Sequence, residues 1–118
     1  MMVNVQHRSA QLMKALVLLS KQYPIIDVRG RGLMVGVEFG GTDGGRRAEK
    51  GVALAVQKAA FKRGVMLMPA GAREAMRFLP ALNISEEEIV LALEAFEGAL
   101  QEVFGPPKDY DNLVELVE

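Results

Sequence analysis

Asp27-Val28-Arg29-Gly30-Arg31-Gly32-Leu33-Met34-Val35-Gly36-Val37-Glu38-Phe39 is the stretch whose reading decides the fold. Leu33 to Phe39, rich in β-branched and apolar residues, is the strongest strand pattern in the chain. Ile25-Ile26-Asp27-Val28, just before it, reads as a short extended piece, and Gly30-Arg31-Gly32 as the turn between the two. Gly40-Gly41-Thr42-Asp43-Gly44-Gly45 then forms a loop, since neither a helix nor a strand tolerates that glycine density. The segment is a strand pair that needs a cover.

The flanks supply it. Upstream, Leu12, Leu16 and Leu19 with Met13 and Val17 fall at helical offsets, predicting a helix from Asn4 to about Gln22. Arg8, Gln11, Lys14 and Lys21 are available for its outer face, and Pro24 closes it because the residue before a proline avoids the α region. Downstream, Arg46 to Arg63 reads as a second helix with Val52, Val56, Ala59 and Ala60 on one stripe and Gly64 at a left-handed C-terminal position. Val65-Met66-Leu67-Met68 is an apolar strand ended by Pro69. Gly71 to Glu74 connects it to a further strand, Ala75-Met76-Arg77-Phe78-Leu79, ended by Pro80. Ser85-Glu86-Glu87-Glu88 is a capping box with three acids at the positive end of the helix it opens. That third helix places Ile89, Leu93, Phe96, Leu100 and Val103 on one face and stops at Gly105-Pro106-Pro107. Three amphipathic helices against one small sheet make an α/β two-layer sandwich. Residues 1–105 form the domain, and residues 106–118 an acidic C-terminal tail.

Composition narrows the function classes. At 118 residues, half of them apolar and a quarter charged, the chain is one ordinary globular domain. Its 14 basic and 15 acidic residues leave a net charge of −1, without the basic excess of a generic nucleic-acid binder. The absence of cysteine excludes a disulfide framework, a thiolate metal site and a cysteine nucleophile. The longest dense apolar run, Ala15 to Leu19, is far short of the roughly 20 residues a membrane span needs. The N-terminus carries no signal-peptide pattern, and the expected location is the cytoplasm.

Few residues point to chemistry. Gly30-x-Gly32-x-x-x-Gly36 invites comparison with a dinucleotide fingerprint. That motif, however, needs glycines between a strand and a helix N-terminus, and these lead into a strand. Tight turning and close backbone approach explain them. His7, the single histidine, has no nucleophile or carboxylate pattern around it, and no cluster has metal-ligand spacing. The acids Glu86, Glu87 and Glu88 are accounted for by the cap. Arg77 stands apart: strand alternation puts it on the face opposite Met76 and Phe78. It is either a solvated arginine on an open sheet face or a planar fork aimed at a carboxylate.

Asp27 to Phe39 resembles the "VRG-x-GLM-x-G-x-E" segment of class III aminotransferases. Gly64-Val65-Met66-Leu67, Gly71 and Met76-Arg77-Phe78-Leu79-Pro80-Ala81-Leu82-Asn83-Ile84-Ser85-Glu86-Glu87-Glu88-Ile89 are similar to that family's C-terminal signature. The resemblance spans about residues 3 to 104. It implies the small domain of a fold type I pyridoxal-phosphate enzyme of the acetylornithine, ornithine and 4-aminobutyrate group, with a mostly antiparallel sheet and three helices. Arg77 then matches the family arginine that binds the substrate α-carboxylate, while Gly30, Gly32 and Gly36 match structural glycines. The sequence departs from the family pattern at Pro80-Ala81, in place of Pro-Pro, and in the charged pair Arg73-Glu74. The tail after Pro107 has no family counterpart.

The same resemblance implies what this stretch does not carry. The family's large domain holds the Schiff-base lysine, the aspartate facing the pyridine nitrogen and most phosphate contacts. None of the six lysines (14, 21, 50, 58, 62 and 108) lies in such a motif. The chain alone is therefore expected to be inactive, with no catalytic, cofactor-binding or metal residue of its own and the large domain as its missing partner. In the parent enzyme an amino group would move between an amino acid or ω-amine and 2-oxoglutarate. Two other readings remain open: a stand-alone dicarboxylate-binding module, and a self-associating interaction domain that forms homo-oligomers.

Overall fold

The computed structural model describes residues 2–31, 34–41, 48, 50–69, 74–78 and 84–108. The elements run α1 (Met2–Leu19), β1 (Ile25–Arg31), β2 (Met34–Phe39), α2 (Val52–Lys62), β3 (Met68–Pro69), β4 (Ala75–Phe78) and α3 (Glu86–Phe104). The four strands form one sheet in the order β1-β2-β4-β3, every neighbouring pair antiparallel. This is the α/β sandwich with three helices that the sequence predicts.

All three helices contribute to a single core against one face of the sheet. From α1 come Leu12, Met13, Leu16 and Leu19, from α2 Ala53, Val56, Ala59 and Ala60, and from α3 Phe96, Ala99 and Leu100. The sheet answers with Val28, Val35, Val37, Met76 and Phe78, alternate positions on β1, β2 and β4. Phe78 and Phe96 meet edge to face at 4.9 Å and 80°, joining the central strands to α3. Tyr23, fully buried after α1, donates from its hydroxyl to Glu97 on α3 at 3.4 Å. Burial pushes its ionisation above the usual phenol value. The backbone N–H of Lys108 donates to the carbonyl of Gln22, returning the chain after α3 to the end of α1.

Several boundaries differ from the sequence reading. β1 continues through Gly30 to Arg31, which pairs with Met34, so the ladder absorbs residues expected in the turn and leaves only two between the strands. Helix α2 begins at Val52 rather than Arg46, because Gly51 takes a left-handed conformation at φ 92°. Gly64, at φ 88°, holds the left-handed position predicted after that helix. β3 is two residues long and includes Pro69. The N–H of Val65 donates to Ala60 at the helix end, and the carbonyl of Leu67 accepts from Gln57 Nε2, so those groups are unavailable to a ladder. Arg8 is not on the outer face: its side chain is 14% exposed, with Nη1 donating to Gln11 and lying 3.9 Å from Glu86.

The capping box forms as predicted. Ser85 Oγ accepts from the N–H of Glu88, and Glu88 Oε1 accepts from the N–H of Ser85. Gly30 lies in β1, while Gly32, Leu79-Pro80-Ala81, Gly71, Arg73 and the tail from residue 109 lie outside the described residues.

Candidate functional site on the open sheet face

No helix covers the second face of the sheet among the described residues. Strand pairing fixes what stands on it. Arg29 pairs with Gly36, Gly36 with Arg77, and Arg77 with Met68, so these four form one row across the sheet. Asp27, Glu38 and Ala75 form the next row. Side chains paired across an antiparallel ladder share a face, and alternation along β4 sends Met76 and Phe78 inward and Arg77 outward.

The two arginines of this row have different surroundings. Arg29 Nη2 lies 2.8 Å from Asp27 Oδ2 and 3.6 Å from Glu38 Oε1, so two carboxylates share its charge. Arg77 is exposed, and its Nη2 donates to the carbonyl of Pro69 at 3.4 Å, a long contact. Among the described residues no carboxylate lies within ion-pair distance of it. A guanidinium held on a central strand, steadied by one carbonyl and without a counter-charge among the described residues, is suited to a bidentate carboxylate ligand. Of the two sequence readings of Arg77, the structure retains the exposure that both require, with no carboxylate partner among the described residues.

Other candidates resolve into structural roles. His7 is exposed on α1, and among the described residues no group of three or more His, Asp or Glu side chains could hold a metal. Glu86, Glu87 and Glu88 occupy the first turn of α3, as the cap requires. Lys62 and Arg63 both reach Glu102, at 3.0 and 2.9 Å, and hold its carboxyl below the ordinary glutamate range. Glu74 does something sequence spacing could not reveal. Its Oε1 accepts from the N–H of Ala53 at 2.9 Å, capping α2 from 21 residues away, where Gly51 offers no side chain. The hint in the sequence is the charged pair Arg73-Glu74 in an otherwise glycine- and alanine-rich connection.

Two hollows lie away from this face. One, of about 230 Å³, is lined by Lys50, Val52, Val103 and Phe104; the other, an apolar groove of about 460 Å³, by Leu54, Phe61, Met66 and Leu67. Among the described residues no helix is long and apolar enough to cross a membrane.

Residues 1–100 match the family described as Aminotransferase class-III. The acetylornithine aminotransferase of Clostridium acetobutylicum is 38% identical over 103 residues, which cover 84% of this chain and 23% of that enzyme. The solved N-acetylornithine aminotransferase of Stenotrophomonas maltophilia K279a aligns with a TM-score of 0.72 and 29% identity, over 85% of this chain and 26% of that one. An amine transaminase from an uncultivated Pseudomonas species, solved in its PLP-bound form, shares the fold at a TM-score of 0.74 and 24% identity, over 85% and 23% of the two chains. The chain spans 21% to 24% of the length of the curated relatives it matches.

A pyridoxal-phosphate site needs a sequestered lysine and an acid facing the ring nitrogen. Lys14, Lys21, Lys50, Lys58, Lys62 and Lys108 are all exposed. Lys62 is committed to Glu102, and Glu74, at the mouth of α2, is bonded to the backbone N–H of Ala53. The described residues do not fit the cofactor.

Proposed function

The chain belongs to the class-III aminotransferase family, and on that premise we propose that residues 1–105 are the C-terminal small domain of such an enzyme, with Arg77 as its substrate-carboxylate residue. The single observation that supports this is the exposed guanidinium on β4, without a carboxylate partner among the described residues while its neighbour Arg29 has two. The parent reaction moves an amino group between an amino acid or ω-amine of the acetylornithine or 4-aminobutyrate type and 2-oxoglutarate. Pyridoxal phosphate, held by the large domain, supplies the electron sink. This chain supplies position: Arg77 fixes the carboxylate, and the paired strands on either side of β4 keep its backbone still. On this reading the isolated chain is catalytically incomplete, which the exposure of all six lysines supports.

Two measurements test this. Titration with 2-oxoglutarate, followed at the Arg77 Nε–Hε resonance, is expected to saturate in the wild type and to fail in Arg77→Lys, which keeps the charge and loses the fork. Equal binding by the lysine variant would contradict the bidentate role. Borohydride reduction with pyridoxal phosphate and excess free lysine is expected to give only scattered, lysine-competed adducts by intact mass. One saturating adduct per chain would show a cofactor site of its own.

A second reading, self-association, is favoured by a specific surface. Leu54, Phe61 and Met66 are 52%, 64% and 71% exposed and line one apolar groove. Such a patch promotes association when its usual cover is absent. Sedimentation across a hundredfold concentration range is expected to show rising mass, and a constant monomer would remove this reading.

A further inference from the structure

Gly36 occupies an interior position of β2, paired on one side with Arg29 and on the other with Arg77. A glycine inside a strand weakens it, and normally marks a bulge, a sharp bend, or the close approach of another backbone or a ligand. Among the described residues the first three explanations find no support. The only irregularity in the β1–β2 ladder is between Ile25 and Asp27, and pairing is continuous through Gly36 into β4. Its backbone is not left-handed; among the described glycines that conformation belongs to Gly51, Gly64 and Gly105. Among the described residues a Cβ built on Gly36 would meet nothing nearer than 3.8 Å, with the carbonyls of Arg29 and Met76 at that distance and Arg29 Cγ at 4.0 Å. Those are ordinary contacts. Gly98 on α3 shows the opposite case, where a Cβ would fall 2.8 Å from Arg63 Nε. At 98 a side chain would have to displace that arginine, whereas at 36 nothing described would have to move.

What remains is approach from outside. Adjacent strands lie about 4.8 Å apart, so the stems of Arg29 and Arg77 rise roughly 10 Å apart with only backbone between them. We propose that Gly36 is a specificity-determining position: its missing side chain leaves a slot, floored by the β2 backbone and walled by the Arg29 and Arg77 stems, that receives the carbon chain attached to the carboxylate gripped by Arg77. The ligand class is a small α-carboxylate, an amino acid or 2-oxo acid, lying flat across β2. This rests on the carboxylate role of Arg77. It adds that the fold could accept a larger residue at 36 while the ligand could not.

The test compares wild type, Gly36→Ala and Gly36→Val by thermal melting and by titration with 2-oxoglutarate and with acetate, read at Arg77 Nε–Hε. The slot predicts a melting temperature equal to or above wild type for both variants, since each suits a strand better than glycine. It predicts 2-oxoglutarate affinity reduced severalfold by alanine and at least tenfold by valine. Acetate, which has no carbon chain to house, should bind the alanine variant as it binds wild type. Unchanged 2-oxoglutarate binding in Gly36→Val would overturn the slot. So would a lower melting temperature in Gly36→Ala, which would make the glycine structural. Wild type that binds neither anion would instead remove the carboxylate role of Arg77, and the slot with it.

Discussion

The two faces of the sheet obey different rules. On the covered face Val28, Val35, Val37, Met76 and Phe78 repeat one theme and meet matching stripes from three helices. On the open face Asp27, Arg29, Gly36, Glu38 and Arg77 share no theme, and the fold uses only part of them, in the ion pairs of Arg29. The first face can be read by asking what buries apolar area. The second yields only to the question of which groups lack a partner. The core lies on one face, and the proposed carboxylate site lies on the other.

Substitutions on either side sharpen that contrast. The largest stability effect belongs to the covered face: Phe96→Ala, which removes the ring packed edge to face on Phe78, should cost about 3–5 kcal/mol. That is a large share of the roughly 5–15 kcal/mol typical of a whole domain, and urea unfolding would measure it. A loss under 1 kcal/mol would mean that the core is not where the structure puts it. Ser85→Ala, breaking the capping box of α3, should cost about 1 kcal/mol by the same method. Glu74→Gln keeps an acceptor for the N–H of Ala53 and removes the charge at the α2 N-terminus, so a loss of about 0.3–1 kcal/mol is expected.

The smallest effect is one of pH. Lys62 and Arg63 hold the Glu102 carboxyl below its ordinary value in the folded state. The stability it contributes is therefore present above the unfolded carboxyl pKa and is lost as pH falls through the lower folded one. Glu102 is exposed, so the effect is small and screened by salt. Glu102→Gln should lower the melting temperature slightly at neutral pH, leave the acid end unchanged and so flatten the limb between them. A steeper acid limb in the variant would have the wrong sign.

The same division governs what could be read from the sequence. Helical stripes, the Ser85 box and the alternation through Arg77 were legible because each depends on neighbours within a few residues. Glycine rules misled where distant pairing overrode them: Gly30 looked like a turn, yet the ladder to β2 holds it in β1. The start of α2 was set too early because nothing in Arg46 to Lys50 announces that Gly51 turns left-handed. The Glu74 cap was out of reach, since it joins residues 21 apart through the tertiary fold. Arg77 was visible as a candidate from its register and its resemblance, whereas the contrast with the paired Arg29 required the sheet order. Gly36 resembles a structural glycine of the family, and the slot proposed there rests on the space around it, which the sheet order reveals.

The separation of the two faces meets its most direct test in one variant measured twice. Arg77→Ala should unfold within about 0.5 kcal/mol of wild type, as a variant of an exposed residue outside the core does, and should lack the glutamate-induced NMR shifts expected around β4 in the wild type. Clear destabilisation would place Arg77 in the scaffold, and retained shifts would place the carboxylate elsewhere; either result would contradict the account.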